Sequence, residues 1–187
     1  MKNEIKKTVE ILRNGGIILY PTDTVWGIGC DATNAAAVEK IYKLKRRSDS
    51  KTMLVLVDSA DRISRYVKQI PSLAPDLIEL SDTPLTIIYP QAVNLAPNLV
   101  ADDETIGIRV VNHEFCKQLI FALNRPIVST SANISGEKAP QKLNEVVDEI
   151  KNNVDFVVNN IFEGKPTYKP SAIIKLGLKN EVEVIRN

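Results

Sequence analysis

A chain of 187 residues, 44% hydrophobic and 25% charged, is long enough for one well-buried core and short for two, so a single domain over residues 1–187 is expected. A net charge of +1 argues against a surface devoted to nucleic acid, where binding rests on neutralising many phosphates. The single histidine, His113, excludes multi-histidine zinc sites, and the well-separated Cys30 and Cys116 suggest buried thiols rather than a disulfide, metal or redox pair.

The opening residues are polar and basic, and nowhere does the chain approach the ~18 consecutive apolar residues of a membrane span. A soluble, cytoplasmic protein is expected. Residues 4–14 place Ile5, Val9 and Leu12 on one helical face, and Gly15-Gly16 supplies the glycine that follows a helix end. Ile17 to Tyr20 read as a strand that stops at Pro21-Thr22-Asp23-Thr24. Asn34 is positioned to cap a helix whose apolar stripe is Val38, Ile41 and Tyr42. Met53 to Val57 form the next strand, Asp61 to Val67 and Leu73 to Leu80 read as helices, and Leu85 to Tyr89 and Ile106 to Val110 return to strand.

Asn112-His113-Glu114 reads as the opening of a helix carrying Phe115, Leu119, Ile120 and Leu123 on its apolar face. Ile127-Val128 is a short strand running into the hydroxyl-rich Ser129-Thr130-Ser131-Ala132-Asn133. Leu143, Val146, Val147 and Ile150 mark another helix and Phe156 to Val158 a strand. Ser171 to Arg186 read as two strands meeting near Lys179-Asn180. Strands alternate with helices except near the end, so an α/β sheet of mixed direction is expected.

Four segments put polar or basic groups where an apolar element ends, the usual place for a site on an α/β scaffold. The first runs from Pro21 to Ala32: its threonines suit a small polar ligand, Gly27 and Gly29 allow close backbone approach, and a capped turn fits the same residues. The second is the basic cluster Lys40, Lys43, Lys45, Arg46, Arg47 and Lys51. Lys45 continues the stripe of Val38, Ile41 and Tyr42, so its ammonium is aimed at the interior edge. There it either snorkels outward or meets an anion, with Arg47 able to complete a polyphosphate clamp.

In the third segment, strand alternation puts Thr105, Gly107 and Arg109 on one face, where the guanidinium suits an oxyanion or a structural ion pair. In the fourth, Ser129, Ser131 and Asn133 either line one side of a pocket or cap a helix.

Taken together, and in this order, the four segments resemble the YrdC family, the threonylcarbamoyl-AMP synthases. The family's K-x-R and S-x-N patterns match Lys45 and Arg47 with Ser131 and Asn133. Its opening PTDTVYGLG resembles Pro21 to Gly29, its strand motif G-x-R matches Gly107 and Arg109, and STSANxSG is present as Ser129 to Gly136. Trp26 replaces the usual tyrosine. Asp82-Thr83-Pro84-Leu85-Thr86 stands where PGP-x-T is common, and Lys169-Pro170-Ser171-Ala172 where a serine-threonine pair is usual. Ser50 to Met53 lack a proline often found there.

The resemblance implies a YrdC-like twisted open sheet of parallel and antiparallel strands flanked by helices, with a basic cavity for L-threonine, bicarbonate and magnesium-bound ATP. It implies a catalytic quartet of Lys45, Arg47, Ser131 and Asn133. Thr24, Arg109, Ser129 and Ser171 would serve threonine and bicarbonate, and Thr105 with the quartet the nucleotide. No resident metal is implied, Mg²⁺ arriving with ATP. Downstream partners would be the tRNA threonylcarbamoyltransferase proteins, with at most weak RNA contact. The competing expectations are a non-catalytic RNA-binding module, a YciO-like relative, and carbamoyl chemistry on another acceptor as in hydrogenase maturation proteins. An aromatic content of 5% weighs against the first.

Overall fold

The computed structural model describes residues 1–46 and 53–187. Helix α1, Lys2–Arg13, buries Ile5, Val9 and Leu12 and is followed by Gly15 at φ +73°. Helix α2, Ala35–Lys45, starts where the Asn34 side chain accepts from the Ala37 N–H at 3.1 Å and ends as Arg46 turns left-handed at φ +51°. The predicted stripe is buried, and Lys45 is buried with it at 1% exposure.

Among the described residues nine strands form one sheet: β1 Ile18–Tyr20, β2 Gly27–Gly29, β3 Leu54–Val57, β4 Leu85–Tyr89, β5 Ile106–Val110, β6 Ile127–Ser131, β7 Phe156–Val157, β8 Ala172–Leu176 and β9 Val182–Arg186. Their order is β7-β1-β2-β6-β3-β5-β4-β8-β9. The pairs β1–β7, β3–β5 and β4–β8 are parallel and the other five antiparallel, which is the mixed sheet anticipated from the sequence.

Two cores lie on opposite faces of this sheet, as the period-two alternation of strands requires. Leu19, Ile28, Val55, Ile106, Ile108 and Val128 pack with α2. Helix α3, Ala74–Leu80, lies where Leu73 to Leu80 read as a helix. Ile18, Tyr20, Leu56 and Ile127 pack with α1 and with α4, Glu114–Leu123. Among the described residues no helix is long and apolar enough to cross a membrane.

Three local expectations are corrected. Residues 60–65 form a 3₁₀ helix rather than an α-helix over 61–67. Val67 bridges Ala92, and Tyr66 O accepts from Val93 N–H, so tertiary pairing draws this chain end out of the helix. The helix expected over 143–150 is split into a 3₁₀ turn and the single-turn α5, Asp148–Lys151. Between them the β-branched Val146 and Val147 are extended, with Val146 buried and Val147 exposed.

Strand β2 lies within the segment Pro21 to Ala32, which the sequence alone does not mark as a strand. A Cβ on its Gly29 would sit 2.5 Å from Val128 O and 2.7 Å from Tyr20 Cε1, so the strand is pressed between its neighbours too closely for a side chain. Strand β6 continues through Ser131, which carries the hydroxyl-rich run into the sheet.

Candidate active site

Because Ile106 and Ile108 face the α2 core, Gly107 and Arg109 face the other way. Register places Thr86 beside Arg109 and Ile88 beside Gly107, Leu54 beside Ser129, and Gly27 beside Ser131. Helices α1 and α4 cover the β1 end of this face. Beyond them it opens into a cavity of about 280 Å³, lined by Thr22, Thr24, Met53, Thr86, Thr105, Gly107, Arg109, Ser129, Thr130, Ser131, Pro170, Ser171 and Arg186, among others. The alternation of Thr105, Gly107 and Arg109 read from sequence therefore holds, and all three reach the same space.

The PTDT turn forms a directed hydrogen-bond chain. Thr22 Oγ1 donates to Val25 O at 2.8 Å and accepts from Thr24 N–H at 3.1 Å. With its proton so used, the 2.9 Å contact between the two hydroxyls requires Thr24 Oγ1 to donate. Thr24 Oγ1 also accepts from Arg109 Nη2 at 3.3 Å. Arg109 is 3% exposed, and its Nη2 lies 3.0 Å from Asp23 Oδ1. The guanidinium is thus desolvated and held, while its Nε–H has no hydrogen-bond partner among the described residues.

Beside Arg109 on the neighbouring strand, Thr86 Oγ1 shares a 2.8 Å hydrogen bond with Ser171, which is 2% exposed. Thr105 Oγ1 donates to Asp103 Oδ1 at 2.6 Å, which ties the start of β5. Ser129 is buried on the same cavity wall as Thr130 and Ser131.

Lys45 and Asn133 stand behind the lining rather than in it. The Lys45 ammonium donates to the main-chain carbonyls of Ser131 and of Asn133, the latter at 2.6 Å. Lys45 O in turn accepts from Ser135 N–H. The lysine of K-x-R therefore grips the backbone on which the serine and asparagine of S-x-N are mounted. Asn133 Nδ2 donates to Ile134 O at 2.9 Å and Glu137 O at 2.8 Å, and its Oδ1 is buried without a hydrogen-bond partner among the described residues. Arg47, the second cation of the expected clamp, lies outside the described residues.

Arg186 was missed in the sequence. Its Nε and Nη2 donate to Ser171 O at 2.9 and 2.7 Å, and it lines the cavity. Burial, then the nearby Arg109 charge, push its pKa down. Period-two alternation alone does not aim it there. Ile173 pairs with Arg186 but Ile174 with Val184, so Ile185 is an extra residue that turns Arg186 toward the cavity.

Of the other residues singled out, Trp26 is buried in the core at 1% exposure. His113 occupies the N-cap position of α4, with Nε2 3.0 Å from Glu163 O, as the helix-opening reading requires. Cys30 and Cys116 are buried free thiols whose pKa values burial raises.

A mixed α/β sheet with two arginines and a ring of hydroxyls in one cavity defines an α/β protein whose site has the chemistry suited to a small anion. Residues 10–187 match the model of the Sua5/YciO/YrdC family, described as telomere recombination, and the chain belongs to that family. It is 33% identical over 155 residues to the threonylcarbamoyl-AMP synthase of Psychromonas ingrahamii, covering 81% of each chain. It is 36% identical over 181 residues to a putative threonylcarbamoyl-AMP synthase of Methanocaldococcus jannaschii, covering 94% of this chain and 83% of that one.

The fold superposes on P. abyssi Sua5 complexed with L-threonine at a TM-score of 0.84 and 26% identity, over 92% of this chain and 50% of that one. The chain thus spans about half the length of that protein. On E. coli YciO the TM-score is 0.83 at 25% identity, over 100% of this chain and 90% of that one.

Proposed function

We propose that this chain is a threonylcarbamoyl-AMP synthase, joining L-threonine, bicarbonate and ATP for the formation of threonylcarbamoyladenosine beside the tRNA anticodon. The observation that carries the reading is the buried Arg109, held by Asp23 and Thr24, facing a cavity rimmed by Ser129, Ser171 and Arg186. The synthases named above and the L-threonine complex of a fold relative support it.

The threonine amine attacks the bicarbonate carbon and water leaves, giving an N-carboxylate. One oxygen of that group attacks the α-phosphorus, the bond to the β-phosphate oxygen breaks, and pyrophosphate departs. This makes the enzyme a nucleotidyltransferase without a protein nucleophile, relying on positioning and charge. Arg109 would bind the carboxylate or bicarbonate, with Thr24, Ser129 and Ser171 around the amino acid. Ser131, Thr105 and Arg186 would face the nucleotide, with Arg47 completing the phosphate contacts.

Lys45 and Asn133 would keep the Ser131 strand end in place. Mg²⁺ enters as part of the ATP substrate, bound to its phosphates and water rather than in a carboxylate cage. The product passes to cytoplasmic tRNA threonylcarbamoyltransferase proteins.

Pyrophosphate release, measured with each substrate omitted in turn, tests this. Release is expected only with ATP, L-threonine and bicarbonate together. Serine should be poorer, since one methyl in a fitted pocket is worth ~1–3 kcal/mol. Release with ATP alone, or tight RNA binding without release, overturns the proposal.

A further inference from the structure

The partners of the Arg109–Asp23 ion pair line two different cavities. One, the front cavity, holds about 280 Å³. The other, of about 330 Å³, is lined by Asp23, Asn112, Lys117, Lys165 and Thr167 among others. Arg109 lines the first of these and its ion-pair partner Asp23 the second.

We propose that Asp23 is a positioning residue that aims Arg109 into the front cavity. One of its oxygens is hydrogen-bonded, and the other meets Arg109 as an ion pair without hydrogen-bond geometry. Oδ1 lies 3.0 Å from Arg109 Nη2, and Oδ2 accepts from Asn112 N–H at 3.0 Å, which ties the carboxylate to the segment just before α4. Its main chain is pinned too, since Asp23 O and Thr24 O accept from Thr167 and Tyr168 N–H at 2.9 and 3.0 Å. Asp23 is itself only 7% exposed.

A carboxylate whose second oxygen and backbone are both anchored holds its charge at one fixed point beside Arg109. The arrangement fixes a direction, and the buried Nε–H of Arg109, without a hydrogen-bond partner among the described residues, is left for a ligand to use. Asp23 does not line the front cavity, so its effect on a ligand there passes through the arginine.

The inference rests on the threonine-site reading above, and a double-mutant cycle separates the two. L-Threonine and ATP binding are measured by calorimetry for the wild type, Asp23→Asn, Arg109→Lys and the double variant. A misaimed group typically costs ~10²-fold, so Asp23→Asn is expected to weaken L-threonine binding about 10- to 100-fold and ATP binding less than about 3-fold. A lysine ammonium is a point charge with no fork to aim. In the Arg109→Lys background, Asp23→Asn should therefore cost less than about 3-fold.

Equal costs in both backgrounds would show simple charge neutralisation and overturn the inference alone. A wild-type chain that binds ATP but no L-threonine overturns the threonine reading and this inference with it. Should Asp23→Asn fail to fold, Asp23→Glu keeps the charge but moves it by one methylene. A loss of L-threonine affinity of about tenfold or more then supports positioning, and wild-type affinity overturns it.

Discussion

The Lys45 ammonium is buried at 1% exposure and donates to the carbonyls of Ser131 and Asn133. Replacing it in Lys45→Met keeps the apolar stem against Val38, Ile41 and Tyr42 and deletes only the charge. The charge-assisted hydrogen bonds to Ser131 O and Asn133 O are lost, each worth ~1.5–3 kcal/mol, and those carbonyls lose a donor. Against this, the cost of burying an ammonium disappears. The balance is a destabilisation of about 2–3 kcal/mol, or a fall in Tm of about 4–12 °C for a chain of this size.

Calorimetric melting of Lys45→Met beside the wild type gives that number, and pyrophosphate release gives the rate. With the Ser131 strand end released, synthesis should fall ~10²- to 10³-fold. Arg46→Ala is the control, since Arg46 pairs with Glu149 at 2.7 Å with both side chains largely in water, and should shift stability by less than ~0.5 kcal/mol. An unchanged melting temperature in Lys45→Met would refute the grip on the S-x-N backbone. A lost rate at unchanged stability would move the lysine's work to the ligand.

Two glycines of the sheet should answer differently to alanine. In Gly29→Ala the new methyl meets Val128 O at 2.5 Å, a backbone atom, so a loss of at least ~1–3 kcal/mol is expected in urea unfolding. In Gly107→Ala the nearest atoms are side-chain carbons of Leu54 and Thr86 at 3.4 Å, so stability should hold while the KM for substrate rises in a narrowed cavity. Burial raises the pKa of both cysteine thiols, so neither Cys30 nor Cys116 should react with a thiol reagent at pH 8 in the native chain, and both should react once it is unfolded. Fast labelling of either in the native state would contradict the packing described here.

Local periodicity determined a good deal by itself. The stripe of Val38, Ile41 and Tyr42 fixed which way Lys45 points, because a helix repeats every 3.6 residues whatever lies around it. Asn34 declared the start of α2, and strand alternation put Thr105, Gly107 and Arg109 on one side. What those side chains meet is set by strand order, which no local pattern encodes. Lys45 finds carbonyls 86 and 88 positions away, and Ser171 finds Thr86 across 85. Gly27–Gly29 became a strand only because β1 and β6 close on it, and Arg186 reached the cavity only through the extra residue at Ile185. A sequence states the direction of a side chain within its own element, whereas its partner depends on which distant element the sheet brings beside it.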